Sequence, residues 1–318
     1  MYKKYVSFII VSLLFVGTFA SLASFINPVA AATPWDFECH TYTHTDLSTL
    51  TAAQIDAEYE QVNTDFLAHG LAVPQHTAYP YGSYNDLVIT ETKKYRISGR
   101  TVSGIMETTY PVPDWYQLKA TEMKTATPWA TIQGWVDSAI PAKGLLVLFT
   151  HDVRDHPGPY GMKPEVLAQL LDYLVAKQTN GDLTVLPIRD AYTAWDGSKT
   201  VVVVCFDDGM FTDYTTVWPM FTARGLVGTS YVYTQAIDNN FKNNLNWAQV
   251  EEMAGVSPPD TTPPAAPKRL SARAASSSQI NLKWVANTET DLAKYRVYRS
   301  LTPGVIPGPS TFLAETTV

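Results

Sequence analysis

The sequence has few cysteines, little charge and no basic stripe, and each shortage excludes something. Two cysteines in 318 residues, Cys39 and Cys205, rule out a disulfide framework. They read as small buried residues at strand ends, with a bridge between them as the alternative in an oxidising compartment. Lys and Arg number 23 against 30 Asp and Glu, a formal net charge of −7. The chain therefore lacks the basic footprint that phosphate backbones require, and no nucleic-acid partner is expected. Charged residues make up 17% and hydrophobic residues 46%, the balance of a chain with a sizeable core. Beyond residue 32 no apolar run is long enough to span a bilayer.

What is present begins at the N-terminus. Lys3 and Lys4 precede an apolar run from Tyr5 to about Ile26, and Asn27-Pro28 breaks it before Ala30-Ala31-Ala32. A basic start, an apolar run and small residues at its end make 1–32 a secretory signal, which puts the protein outside the cell or at its surface. An uncleaved anchor is the alternative, and the membrane is a partner only in that case. Aromatics are 12% of the chain, with 18 Tyr and 8 Trp, which suits stacking on sugar rings as well as filling a core.

Residues 33–255 alternate strand-like and helix-like segments. Ile55, Tyr59, Val62 and Phe66 share one face of a helix over 51–68, and further helices are expected at 132–140, 163–177, 211–223 and 247–254. Strands are expected at 72–79, 95–102, 144–149, 183–188 and 227–233, and Thr200–Phe206 is apolar throughout, as a strand covered on both faces would be. Such alternation indicates an α/β fold with a parallel sheet, a barrel first and a doubly wound sheet second. A proline-rich linker, 256–267, follows. In 268–318, Ile280–Trp284 and Lys294–Tyr298 alternate polar and apolar residues, as sandwich strands do.

Two half-sites carry the chemistry. His40-Thr-Tyr-Thr-His44 follows a short apolar strand, and its two imidazoles can grip one metal. Asp207 and Asp208 end the all-apolar strand, where carboxylates are costly unless paired or bound to a cation. The bland alternatives are exposed histidines and an Asp-Asp-Gly turn. Together the half-sites offer two imidazoles and a carboxylate to a divalent metal, zinc or a relative, with a second carboxylate beside it as general base.

These residues resemble the motifs of the polysaccharide deacetylase (NodB-homology) family. Phe206-Asp-Asp-Gly209 is similar to the first motif, which implies that Asp207 is the catalytic base and Asp208 a metal ligand. His40–His44 resembles the second and implies two further ligands, His40 and His44. Tyr79-Pro80-Tyr81-Gly82 resembles the third, which walls the substrate groove and offers the Tyr81 N–H to the oxyanion. Asp114-Trp115 resembles the fourth, another stretch of groove wall, and Leu148–His151 the fifth, which makes His151 the general acid. The resemblance covers about 35–255 and implies a deformed (β/α) barrel of about seven strands, a metal cofactor and an acetylated polysaccharide partner. It implies removal of N-acetyl groups from an aminosugar polymer such as chitin, peptidoglycan or poly-N-acetylglucosamine. An O-acetyl xylan-type esterase and a non-catalytic glycan-binding surface protein are the alternatives.

One position departs from the family pattern. The arginine that usually stands two residues before the proline, tethering the catalytic Asp, is Ala78 here, so Asp207 is expected to be less depressed. Arg154 is a candidate replacement, and His69, His76 and His156 read as surface or loop residues. The motifs also run in reverse, the His pair before the Asp pair. Exchanging segments cut near Thr33 and Gly255 restores the order, so the barrel is expected to be circularly permuted, its natural ends joined by Trp195–Lys199. The tail 268–318 resembles a fibronectin type III module, a fold of about 100 residues, and reads as a partial one.

Overall fold

A computed structural model describes residues 4–7, 34–256, 268–276, 279–286, 292–298 and 312–317. Most of the expected signal, most of the linker and Thr33 lie outside the described residues. The chain divides into two compact units, 28–258 and a second made of 1–27 with 259–318. In the second, β1 (Lys4–Ser7) pairs with a strand over Leu292–Tyr298, which pairs with Phe312–Thr317, while Lys268–Ser276 pairs with Gln279–Val285. Trp284 meets Tyr295 edge-on at 5.2 Å between these two small sheets.

The larger unit is a curled, parallel sheet wrapped by helices. Its elements are β2 (Asp36–Cys39), α1 (Ala52–Ala68), β3 (His76–Ala78), α2 (Asp86–Tyr95), β4 (Ser98–Arg100), β5 (Thr121–Glu122), α3 (Trp129–Ala142) and β6 (Leu145–Thr150). Then come α4 (Pro164–Thr179), β7 (Leu183–Val185), α5 (Ile188–Ala194), β8 (Thr200–Asp207), α6 (Trp218–Thr222), β9 (Thr229–Val232), α7 (Thr234–Asp238) and α8 (Trp247–Met253). The strands lie in the order β4-β3-β2-β9-β8-β6-β5, with β7 on the lower part of β8. The Leu118 N–H donates to Gly99 and the Leu118 carbonyl accepts from Thr101. Residues 118–122 thus carry pairing from β4 round to β6. The spatial sequence of strands therefore runs β8, β9, β2, β3, β4, β5, β6, although the chain enters it at β2.

Strand β8 explains why Thr200–Phe206 is apolar throughout. Val202, Val204 and Phe206 pack outward under the helices with Ile55, Tyr59, Val136 and Leu170. Val201, Val203 and Cys205 point inward with Leu145, Val147, Phe149 and Tyr231. Each fully buried Val contributes roughly 1.5–3 kcal/mol, so both faces of this strand hold the unit together. Ile188 and Ala191 of α5, with Trp195 just after it, complete the inner layer. The two cysteines are free, and Cys39 belongs to the outer core and Cys205 to the inner one. They face opposite sides of the sheet, as small buried residues at strand ends, and the alternative of a bridge between them falls away.

Three helices were not expected from pattern: α2, α5 and α7. The α2 segment mixes charged and β-branched residues, so periodicity is faint, but the Asn85 side chain caps it by accepting from the Val88 N–H. Pro187 precedes α5, whose first residue, Ile188, was expected to end a strand. Among the described residues no helix is long and apolar enough to cross a membrane.

Candidate active site

The upper, carboxyl-terminal ends of the strands form a pocket of about 400 Å³ lined by His40, His44, Tyr79, Tyr81, Val102, Glu122, Phe149, His151, Tyr160, Asp207 and Asp208. Backbone strain concentrates here. Seven described non-glycine residues have positive φ, and four of them are Thr41, His44, Tyr81 and Asp208. Each left-handed residue costs roughly 1–2 kcal/mol, a cost retained where geometry is needed. Gly82 and Gly209, at φ 69° and 60°, complete the two turns, and a Cβ at either would fall on Val102 or Val232.

His40 sits at the end of β2 and is 2% exposed. Its Nδ1 donates to the Ala78 carbonyl at 2.8 Å, which leaves Nε2 as a bare lone pair. Burial, with the charges of His44 and Arg100, pushes its pKa down to about 3, although Asp207 pulls the other way, so the ring is neutral. His44 Nε2 lies 3.1 Å from His40 Nε2. Asp208 Oδ1 lies 3.6 Å from His40 Nε2 and 3.3 Å from His44 Nε2, and these three atoms lie within 4.8 Å of one another. Ligand atoms about 2.0–2.1 Å from a tetrahedral zinc stand roughly 3.3 Å apart. The Asp208 Oδ1 is also buried without a hydrogen-bond partner. Burial raises Asp208 and neighbouring Asp207 adds to this, against His151 and His44. An orphaned carboxylate oxygen facing two imidazole nitrogens at this spacing fits a divalent cation.

Asp207 ends β8 on the inward side, 3% exposed. It forms a buried ion pair with Arg100 of β4. Arg100 stands level with Ala78 on the neighbouring strand. The cation absent from position 78 is thus supplied one strand along. Its guanidinium lies between the rings of Phe149 and Tyr231, 4.4 and 4.6 Å from their centres. Burial alone would raise Asp207, but Arg100 first, then His40 and His151, pull it below the usual carboxylate value. The expectation of a less depressed Asp207 is therefore corrected. So is the candidacy of Arg154, which pairs with Asp152 instead.

On the opposite wall, His151 follows β6. Its Nδ1 is buried without a hydrogen bond and lies 3.9 Å from Oε1 of Glu122, which ends β5 and also pairs with Lys124. Glu122 was missed by sequence reasoning; its signal was one carboxylate in a two-residue strand. Tyr160 flanks His151 at 5.8 Å between ring centres. Tyr81 projects into solvent, 68% exposed, with its ring 4.8 Å from that of His44. Tyr79 is buried, donating from its hydroxyl to the Tyr116 carbonyl, and Pro80 opens the turn that presents Tyr81.

Asp114 and Trp115 do not join them. Asp114 accepts from the Tyr116 N–H, capping a short helical turn, and Trp115 packs on Tyr192 at 4.5 Å. Neither lines the pocket, because the chain after β4 turns them away before it returns at β5. His76 is not a surface residue either: it is 1% exposed, bonded to Ser98 Oγ, and held neutral with its pKa pushed down to about 3 by burial and by Arg96. His156 is exposed, as expected, whereas His69 is half-buried, paired with Glu251 and stacked on Trp247.

The polysaccharide deacetylase family model matches residues 20–99. That span holds the His40–His44 and Tyr79–Gly82 motifs and stops well short of Asp207. Solved structures with partial similarity include the deacetylase PplD of Streptococcus pyogenes in complex with acetate, at 21% identity and TM-score 0.29 over 36% of this chain and 53% of that one. The putative polysaccharide deacetylase BA0330 of Bacillus anthracis shows 21% identity and TM-score 0.29 over 34% and 35%. IcaB of Ammonifex degensii shows 22% and 0.29 over 35% and 48%. The chain thus spans about half or less of the length of these structures. No curated protein matches the chain.

The Arg100–Asp207 pair generates a prediction. A carboxyl depressed in the fold contributes stability above its unfolded pKa and loses it as pH falls through the folded pKa. Arg100→Met strands a buried carboxylate and should cost about 3–5 kcal/mol at pH 7. The deficit should shrink as acid protonates Asp207 in the variant. Denaturant melts at pH 7 and pH 4 check this; an equal deficit at both would remove the ion pair as its cause.

Proposed function

We propose that this chain is a metal-dependent carbohydrate deacetylase that cleaves N-acetyl groups from an aminosugar polymer. The observation that carries the reading is the pairing, in one pocket, of a His40–His44–Asp208 ligand set with Asp207 on one side and His151 on the other. A divalent metal held by His40, His44 and Asp208, zinc first, would supply Lewis acidity to the acetyl carbonyl and acidify water. Asp207, held ionised by Arg100, accepts the proton of the attacking water. The Tyr81 N–H donates to the oxyanion. His151, with Glu122 behind its Nδ1, protonates the leaving nitrogen. An amide nitrogen departs only when protonated, so an acid opposite the base favours carbon–nitrogen cleavage over ester hydrolysis. The exposed rings of Tyr81 and Tyr160 suit stacking on sugar faces. The basic start, apolar run and small residues of 1–32 speak for secretion, which brings the enzyme to an external polymer.

Incubation with N-acetylated chito-oligosaccharides should release acetate, and faster than incubation with O-acetylated xylan. Asp207→Asn should lower the rate by about 10²–10⁴-fold while one equivalent of metal stays bound. Absence of acetate from both substrates by the wild-type protein would refute the enzymatic reading, and full activity in the variant would remove Asp207 as base.

We also propose that the barrel is circularly permuted. The motif strands follow the family order in space while the chain begins at β2. Trp35 N–H donates to the Met253 carbonyl at 2.9 Å, so the two ends of the unit lie side by side. Pro34 and Val256 line a cavity with Asp36 and Pro74, at the opposite ends of β2 and β3 from the ligands. A chain rebuilt to start at Lys199, joined from Val256 to Pro34 by a short glycine linker and ending at Gly197, should fold and retain the metal site. Its melting temperature should stay within about 8 °C of the parent barrel, the shift expected from roughly 1–2 kcal/mol; failure to fold in soluble form would count against permutation.

A further inference from the structure

The loop that carries the second histidine holds two left-handed residues that are not glycine, Thr41 at φ 67° and His44 at φ 60°. A loop of this kind relaxes unless its surroundings determine it. One restraint is internal: the His44 N–H donates to Thr41 Oγ1 at 3.0 Å. The N–H groups between the two strained residues go elsewhere. Tyr42 N–H and Thr43 N–H both donate to Oε2 of Glu58, each at 2.8 Å. Thr43 Oγ1 donates to Oε1 of the same carboxylate at 2.6 Å. Glu58 stands within α1 and is 8% exposed. Among the described residues no ion pair includes Glu58, so two backbone amides and a hydroxyl satisfy this buried carboxylate. Glu58 does not line the pocket.

We propose that Glu58 is a positioning residue that sets the bite of His40 and His44 on the cation. Its rigid helix and two oxygens hold the peptide of Thr43 in the orientation that turns His44 back until its Nε2 lies 3.1 Å from that of His40. Anions bound by consecutive amides order a loop strongly, and here the anion is the protein's own side chain. The inference rests on the metal reading given under Proposed function, and deepens it by naming a residue outside the pocket on which the ligand geometry depends. Outer partners of metal ligands typically change affinity by about 10–100-fold when removed.

The test is a titration of the metal-free full chain with Co²⁺ and with Zn²⁺ against a competing chelator, read as a dissociation constant and as the visible absorption of bound Co²⁺. Glu58→Gln keeps the size of the side chain but removes the charge that the two amides face and replaces the oxygen that accepts from Thr43 Oγ1 with an NH2 group. It should weaken both metals by about 10–100-fold and alter the Co²⁺ band, while the metal-free protein still melts cooperatively. Thr43→Ala, which removes one donor and leaves the carboxylate in place, should fall between wild type and Glu58→Gln. It serves as the readout should the glutamine variant not fold. Unchanged affinity in a folded Glu58→Gln variant, or in Thr43→Ala if that is the variant available, overturns the proposal. So does a loss confined to metal-free melting temperature, which would mark a structural role alone. A wild-type protein that binds neither metal overturns the metal reading itself, and that outcome is separate because it appears before any variant is made.

Discussion

Arg100 and Asp207 meet inside the barrel from strands on different sides of it, and the chemistry of the site depends on that pair. A carboxylate at the end of an apolar strand would ordinarily take up a proton, because burial raises its pKa. The guanidinium, held between Phe149 and Tyr231, reverses that and keeps Asp207 anionic. An anionic Asp207 in turn separates the roles of two adjacent aspartates. Asp207 has its oxygen engaged by arginine, whereas Asp208 Oδ1 is left without a hydrogen bond beside two imidazoles. The partner each aspartate is given thus suits the first to the proposed role of base and the second to that of ligand.

The remaining geometry is held by backbone under strain. Thr41, His44, Tyr81 and Asp208 all adopt left-handed conformations, three of them lining the pocket and Thr41 buried next to it. Each is held locally: Glu58 binds the amides next to Thr41, the Thr41 hydroxyl accepts from the His44 N–H, Pro80 and Gly82 flank Tyr81, and the Asn244 side chain donates to the Asp208 carbonyl at 2.7 Å. The stability that offsets this strain comes from the two hydrophobic layers that β8 separates. A site of this kind needs the closed, parallel frame, because its candidate ligands follow β2 and β8, which are not neighbours but flank β9.

Much of this was legible in the sequence, and the rest was hidden for identifiable reasons. The apolar run Thr200–Phe206 announced a strand buried on both faces, and the His and Asp half-sites announced their own juxtaposition despite the 162 residues between His44 and Asp207. Arg100 was invisible because what the site needs is a cation at one height in the sheet, and the cross-strand partner of Ala78 supplies it as well as position 78 would. Glu122 and Glu58 were invisible for the same reason: each acts through space on a motif residue from an element with no motif of its own. Asp114-Trp115 misled because two residues fit a pattern by composition while the chain carried them away from the pocket. The inward-facing His76 read as a surface residue because a three-residue strand shows no periodicity.

Everything proposed for the pocket requires that His40, His44 and Asp208 hold a metal ion. X-ray absorption at the zinc edge, on protein loaded with one equivalent of Zn²⁺, tests it most directly. The expected spectrum has a shell of light atoms at about 2.0–2.1 Å with the multiple-scattering signature of two imidazoles, reduced to one in His44→Ala. A shell of oxygens without imidazole, or a spectrum unchanged by that substitution, would contradict it.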